Sequence, residues 1–297
     1  MNEIITQGEF NIEKLTKDYL DYIDVSAKTI DTYNIAIRQF ITYLKENGIT
    51  APQRADVIKW RDMLKENHSV ATVNSYLIAV RNLFKYLQYV GVYKNITENI
   101  KGLKDTILHK REAISVEYCK ELFATAKNDK EKVIFVLAVC CGLRANEIVN
   151  IKLEDFKKEE GQIRLYVLGK GRDYKQDYVI IPNSILEIIK NYIEEYKISD
   201  YLIVSSSNHN KGRQVDTSAI RRIVNGMYQR IGIKSKKIVL HSLRHSFATI
   251  SLQNGQDIRE VSKAMRHSSV AVTERYAHDL EMKNNKCSAV VCENIFG

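Results

Sequence analysis

Two imidazoles, a guanidinium and a phenol fall within 36 residues of the last third of the chain, as His241-Ser-Leu-Arg244, His267 and Tyr276. Singly they say little, because the chain holds seven histidines and seventeen tyrosines. Upstream stand Arg144 in Gly-Leu-Arg and Lys170 in Gly-Lys-Gly. As a set these groups suit a phosphodiester. Guanidinium forks keep their protons and can clamp the two non-bridging oxygens, which makes Arg144 and Arg244 the natural pair. A proton donor is available for the leaving oxygen, and a phenol can hold the phosphoryl group covalently.

Secondary positions fit the same chemistry. Glu147, three residues beyond Arg144, is placed to orient its guanidinium. His241 and Arg244 lie one helical turn apart and face one site. One histidine, His241 or His267, would bond the phosphate and the other would help accept the tyrosine proton. Lys170, on a tight turn, can reach the leaving oxygen as general acid; Lys175 on the same hairpin is the second candidate. Tyr276 lies on no obvious apolar stripe, whereas Tyr33 and Tyr76 sit on helical faces and read as structural. No metal site and no cofactor are expected: fixed Arg and Lys already supply the cationic field.

The elements that must position these groups follow from periodicity. The first hundred residues read as helices only: Leu15–Ile23, a second helix capped by Ser26, a third over Arg54–Glu66, and a fourth capped by Ser69. The outward face of the fourth carries Asn74, Arg81, Asn82 and Lys85, candidates for nucleic-acid backbone contact. Residues 101–112 break the periodicity and form a basic linker, in which Lys110 and Arg111 are further candidates. Beyond it a helix runs from Ser115 to about Ala126, and a buried apolar helix spans Lys130–Gly142. Two strands, Ile163–Leu168 and Asp177–Ile181, flank Gly-Lys-Gly-Arg-Asp as a hairpin. Helices return over Asn183–Tyr196, Asp216–Ile231, His241–Asn254, Asp257–Met265 and Val270–Ala277. After Leu280 a polar stretch precedes an apolar patch, Ala289–Phe296, either a tether that docks on a neighbour or a last helix folded on its own domain.

The net charge is +9. Residues 1–100 hold 12 basic and 12 acidic side chains, so the whole excess lies beyond them and points to a polyanionic partner. No apolar run approaches a membrane span, and the first residues lack a secretory signal pattern. Five cysteines without a Cys-x-x-Cys pair suggest a reducing cytoplasm, with Cys140 and Cys141 as small core residues of an apolar helix.

Gly-Leu-Arg144-x-x-Glu, Lys170, His241-x-x-Arg244, His267 and Tyr276 resemble, in order and spacing, the six active-site positions of the tyrosine recombinase (phage integrase) family. The resemblance covers residues 113–280 as catalytic domain and 1–100 as helical core-binding domain, with 101–112 as linker and 281–297 as a tail that could be exchanged between protomers. It implies a mainly α fold with a small β-sheet in an α+β catalytic domain. It also implies a site-specific DNA recombinase of the compact Xer-like or mobile-element type, with attack by Tyr276 giving a 3′-phosphotyrosine. The ester conserves the bond energy, so rejoining needs no ATP. Double-stranded DNA, a homotetramer on that DNA and an optional accessory DNA-bending protein are the implied partners, with no membrane. Type IB topoisomerase-like relaxation and a catalytically silent site-binding protein are the alternatives. The sequence departs from the family where Leu-Gly usually precedes the second histidine: Met265-Arg266 stands there. Gly permits a backbone that Arg resists, so a different turn is expected, or else an added phosphate contact from Arg266.

Overall fold

The computed structural model describes residues 12–104, 112–169, 172, 174–207, 210–235, 237–267, 269–271, 273–274 and 276. Lys110, Arg111, Lys170 and the whole tail lie outside the described residues. The chain forms two compact units, Met1–Leu108 and His109–Gly297.

The first unit is built from helices α1 (Ile12–Tyr22), α2 (Ala27–Glu46), α3 (Arg54–Leu64) and α4 (Val70–Tyr89). Ser26 and Ser69 cap α2 and α4 by accepting the amides of Thr29 and Thr72, each meeting a donor that the first turn leaves orphaned. The apolar stripes of α2 and α4 meet at Ile37, Phe40, Val80 and Phe84, and Trp60 of α3 packs edge-on to Phe40 at 5.1 Å. Each such large apolar side chain contributes about 1.5–3 kcal/mol by leaving water. Two polar residues expected to face a partner are used internally. Asn74 donates to the Leu103 carbonyl (3.0 Å) and accepts the Leu103 amide (2.8 Å), and Asn82 donates to the Tyr33 hydroxyl (3.2 Å). Together with Arg61, which donates to the Lys101 carbonyl at 2.9 Å, Asn74 ties the start of the expected linker onto this unit.

The second unit contains α5 (Val116–Ala124), α6 (Asp129–Val139), α7 (Ala145–Val149), strands β1 (Phe156–Glu159), β2 (Gln162–Val167) and β3 (Asp177–Ile181), then α8 (Asn183–Tyr196), α9 (Thr217–Arg230), α10 (Leu240–Gln253) and α11 (Ile258–Ala264). Helix α6 is buried along its whole apolar run, Val133–Val139, because α8, α9 and α10 all pack around it. It ends at Val139, earlier than the expected Gly142. Cys140 and Cys141 therefore lie past the helix, Cys140 exposed at the cap and Cys141 buried. The sheet is antiparallel in the order β1-β2-β3, with Leu165 and Val179 paired on the inner face and Tyr166 and Tyr178 paired on the outer. Strand β1 was not expected: Phe-Lys-Lys-Glu has no apolar alternation, and its turn into β2 uses Glu160 (φ 49°) and Gly161 (φ 76°). Both central residues are left-handed, as a two-residue hairpin requires, but Glu-Gly lacks the usual Asn-Gly or Asp-Gly signature.

Replacing Asn74 by Ala should lower the stability of the first unit by about 1–2 kcal/mol, because one change orphans a backbone donor and acceptor together. Urea unfolding followed at Trp60 fluorescence measures it; an unchanged midpoint would mean that water replaces both bonds.

Candidate active site

The site is assembled where the exit of α6, the start of α7, the first turns of α10 and the end of α11 converge. Chain reversal after α6 depends on Gly142, which is left-handed (φ 59°) and faces Phe247; a Cβ there would lie 2.9 Å from the ring. That turn delivers Arg144 to the N-terminal cap of α7. Glu147, in the first turn of α7, accepts the Arg144 amide at 2.8 Å and the Arg144 guanidinium at 2.7 Å. The expected orienting role of Glu147 thus has a direct geometric basis, and the carboxylate is sealed at 1% exposure.

Arg244 comes from α10 and is also 1% exposed, so it lies deeper than Arg144, which is 26% exposed. Its guanidinium donates to the carbonyls of Gly142 and Met265 and stands 3.8 Å from Glu147. Burial pushes its pKa down to about 9, with Arg144 adding to the shift and Glu147 opposing it. It is cationic at neutral pH. Buried serines anchor and cap α10: Ser246 Oγ accepts the Ile114 amide at 2.8 Å, tying the helix to the start of the unit, and Ser242 Oγ accepts the amide of the cap residue Val239 at 3.1 Å.

Arg266 corrects an expectation. It makes the left-handed turn itself, at φ 53°, and the turn is regular: the Arg266 amide bonds the Lys263 carbonyl at 2.8 Å and the His267 amide bonds the Ser262 carbonyl at 3.1 Å. This is the bonding pattern of a helix end normally closed by glycine. The guanidinium does not point to solvent for a phosphate; it is 5% exposed and donates to Glu147 at 2.9 Å. One buried carboxylate therefore stands among three guanidiniums. Burial raises the Glu147 pKa, but Arg266, the Arg144 amide, Arg244 and Arg144 outweigh it and hold the carboxyl below its ordinary value.

Tyr276 lies beside this cluster. Its ring packs with Ala248, Val261 and Met265, so it does belong to a small apolar group that periodicity did not reveal. It meets His245 edge-on at 4.9 Å and lies parallel to His267 at 6.4 Å. His241 in turn meets His245 edge-on at 5.0 Å. His245 is the residue that sequence reasoning missed. Its signal was present, since it follows His241 by four residues and shares its helix face. His267 Nδ1 hydrogen-bonds Thr273 Oγ1 at 2.7 Å. Burial, reinforced by Arg244, Arg144, Arg266 and His245, pushes the His267 pKa down to about 4, so the ring is neutral at pH 7.

Of the two candidate donors, Lys175 is engaged elsewhere, donating to the Asn150 carbonyl at 2.8 Å and to Asp155 at 2.5 Å. This bond staples the hairpin to the loop after α7. In the first unit Arg81 and Lys85 line a cleft of about 380 Å³ with Asn95, Thr97, Glu98, Asn99 and Ile100. Among the described residues no group of three His, Cys, Asp or Glu side chains is arranged to hold a metal, and no helix is long and apolar enough to cross a membrane.

Two outcomes follow. Gly142→Ala should destabilise the second unit by about 2–4 kcal/mol in urea unfolding, combining a left-handed penalty with overpacking against Phe247. For His267 the folded pKa of about 4 lies below the unfolded 6.5. The unfolded chain then takes up the proton first, so this group's contribution to stability is complete above pH 6.5 and is lost as pH falls toward 4. An NMR titration should show the His267 ring unchanged between about pH 5.5 and 8; an inflection near the ordinary histidine value would refute its burial beside the arginines.

Residues 112–283 match the phage integrase family, and residues 16–89 match the phage integrase N-terminal SAM-like domain. A tyrosine recombinase of Pseudothermotoga lettingae is 28% identical over 284 residues, covering 92% of this chain and 96% of that protein. The tyrosine recombinase XerA of Pyrococcus furiosus is 27% identical over 292 residues, covering 96% of each. Among solved structures, the XerH site-specific recombinase bound to palindromic difH in a post-cleavage complex aligns with a TM-score of 0.75 at 22% identity, covering 95% of this chain and 84% of that one. A lambda integrase tetramer bound to a Holliday junction aligns with a TM-score of 0.74 at 14% identity, covering 91% and 78%. With residues 112–283 matching that family and residues 16–89 matching its N-terminal SAM-like domain, the chain belongs to the phage integrase family.

Proposed function

We propose that the protein is a site-specific DNA recombinase that cuts and rejoins strands through Tyr276. The observation that carries this reading is the meeting of Tyr276 with the neutral ring of His267, whose own pKa is depressed by burial and by Arg244 and Arg144. Those cations supply the field in which a phenol ionises and a pentavalent phosphorane charge is stabilised. The tyrosine oxygen attacks phosphorus, the bond to the 5′ oxygen breaks, and the 3′ phosphate stays on Tyr276. His241 or His267 takes the phenol proton. Lys170 protonates the leaving 5′ oxygen, a role favoured over Lys175 because Lys175 is bound to Asp155. A free 5′-OH from another strand reverses the step and makes the new joint.

The relatives named above are tyrosine recombinases along nearly their whole length, which favours strand exchange over relaxation by a lone protomer. The similar lambda integrase structure is a tetramer on a Holliday junction, and we assign this chain the same kind of assembly on double-stranded DNA, with or without a DNA-bending accessory protein. The work is integration or excision of a mobile element or resolution of DNA, in the cytoplasm at the nucleoid. Arg81, Lys85, Lys110 and Arg111 are assigned to the DNA backbone, and residues 281–297 to contact between protomers.

Incubation with supercoiled plasmid, and with nicked suicide duplexes made from the DNA flanking its gene, in EDTA should give protein covalently joined to DNA on a denaturing gel. The adduct should vanish in Tyr276→Phe. An adduct that persists in that variant would move the nucleophile elsewhere, and none on any substrate would favour a silent site-binding protein.

A further inference from the structure

The residue that departs from the family pattern also adopts a locally unfavourable conformation. A non-glycine residue in the left-handed region costs about 1 kcal/mol or more, and Arg266 occupies it at a helix end where glycine would cost nothing. The offset comes from 119 residues away, in the 2.9 Å ion pair with Glu147. That carboxylate uses both oxygens on this side of the site. Oε1 accepts the Arg144 guanidinium, while Oε2 accepts the Arg144 amide and Arg266. The Arg266 main-chain carbonyl meanwhile accepts Arg144 Nη2 at 3.4 Å, so Arg266 holds Arg144 directly through its backbone and indirectly through Glu147. Without the Arg266 side chain, Oε2 would keep only the Arg144 amide against the attraction of Arg244, now 3.8 Å away, and the carboxylate could turn from the Arg144 guanidinium toward it.

We propose that Arg266 is a positioning residue for strand cleavage: by clamping Glu147 it holds the Arg144 guanidinium, the more exposed of the catalytic arginine pair, where it meets the scissile phosphate. This rests on the recombinase reading above. Arg266 itself touches no phosphate, because its side chain is enclosed. Among the attractions that keep Glu147 ionised against its burial, that of Arg266 is the largest.

Turn conformation and clamp make opposite demands, which gives a decisive variant. Arg266→Gly relieves the backbone and deletes the clamp. Adduct formation should be followed in single turnover on the suicide duplexes at saturating DNA, with DNA affinity measured separately. The clamp requires Arg266→Gly to slow cleavage by about tenfold or more while affinity changes less than about twofold, and Arg266→Lys to recover part of the rate. In a Glu147→Gln background Arg266→Gly should cost little further, since the clamped group is already neutral. Cleavage by Arg266→Gly at the wild-type rate or faster, or an equal loss in the Glu147→Gln background, overturns the proposal. If wild-type protein forms no adduct, the recombinase reading fails on its own account. The clamp is then decided by urea unfolding of the two single variants and the double, where strictly additive midpoint shifts overturn it.

Discussion

The buried carboxylate of Glu147 is the constraint on which the site depends. An ionised group at 1% exposure is costly unless it is paired and hydrogen-bonded, and here one amide and three guanidiniums compensate it. Breaking such a pair from either side leaves an uncompensated interior charge, typically at a cost of about 3–5 kcal/mol. Elements distant in sequence are therefore tied to one point: α7 carries the carboxylate, α10 carries Arg244, and the turn after α11 carries Arg266. Carbonyls of Gly142 and Met265 complete the shell around Arg244. Helix α6 contributes no chemistry but forms the surface against which α8, α9 and α10 are set.

Much of this was legible in the chain. The caps Ser26, Ser69 and Ser115 sit where a hydroxyl before an apolar-periodic run places them, and the hairpin strands fall where β-branched and aromatic residues alternate. Arg144, Arg244, His267 and Tyr276 do come together, and Glu147 does bond both the amide and the guanidinium of Arg144. What failed was local inference about positions governed by distant partners. At Arg266 the preference of a helix end for glycine is overridden by an ion pair that no local rule contains. Asn74 and Asn82 look solvent-facing by helical phase, yet they meet Leu103 and Tyr33 through tertiary contacts. The β1 turn was hidden because Glu160 accepts a conformation that residue statistics assign to Asn or Asp.

The aromatic groups around the phenol show a different economy of construction. Tyr276 rests on Met265, Val261 and Ala248, apolar neighbours that exclude water, while two imidazoles border its ring. Packing sets where the ring stands, and Arg244 is near enough to interact with it electrostatically. His241 and His245, edge to edge along one face of α10, extend the row of rings away from Tyr276.

Fewer basic side chains are available at the surface of the second unit than its count of them suggests. Arg164 on the outer face of the sheet is paired with Glu159 and Glu160 and lies over the Tyr178 ring at 4.8 Å. Lys175 is joined to Asp155, Arg230 to Glu131, and Arg244 and Arg266 to the same interior carboxylate. Lys130 is buried and bonded to the Val204 carbonyl. Cations held in this way neutralise no phosphate, so they release none of the counterions condensed on a polyanion. The salt dependence of binding measures small ions released when phosphates are neutralised, at about 0.9 per contact on duplex DNA. Its slope should accordingly report the charges left mobile at the surface, fewer than the chain's basic residues would indicate.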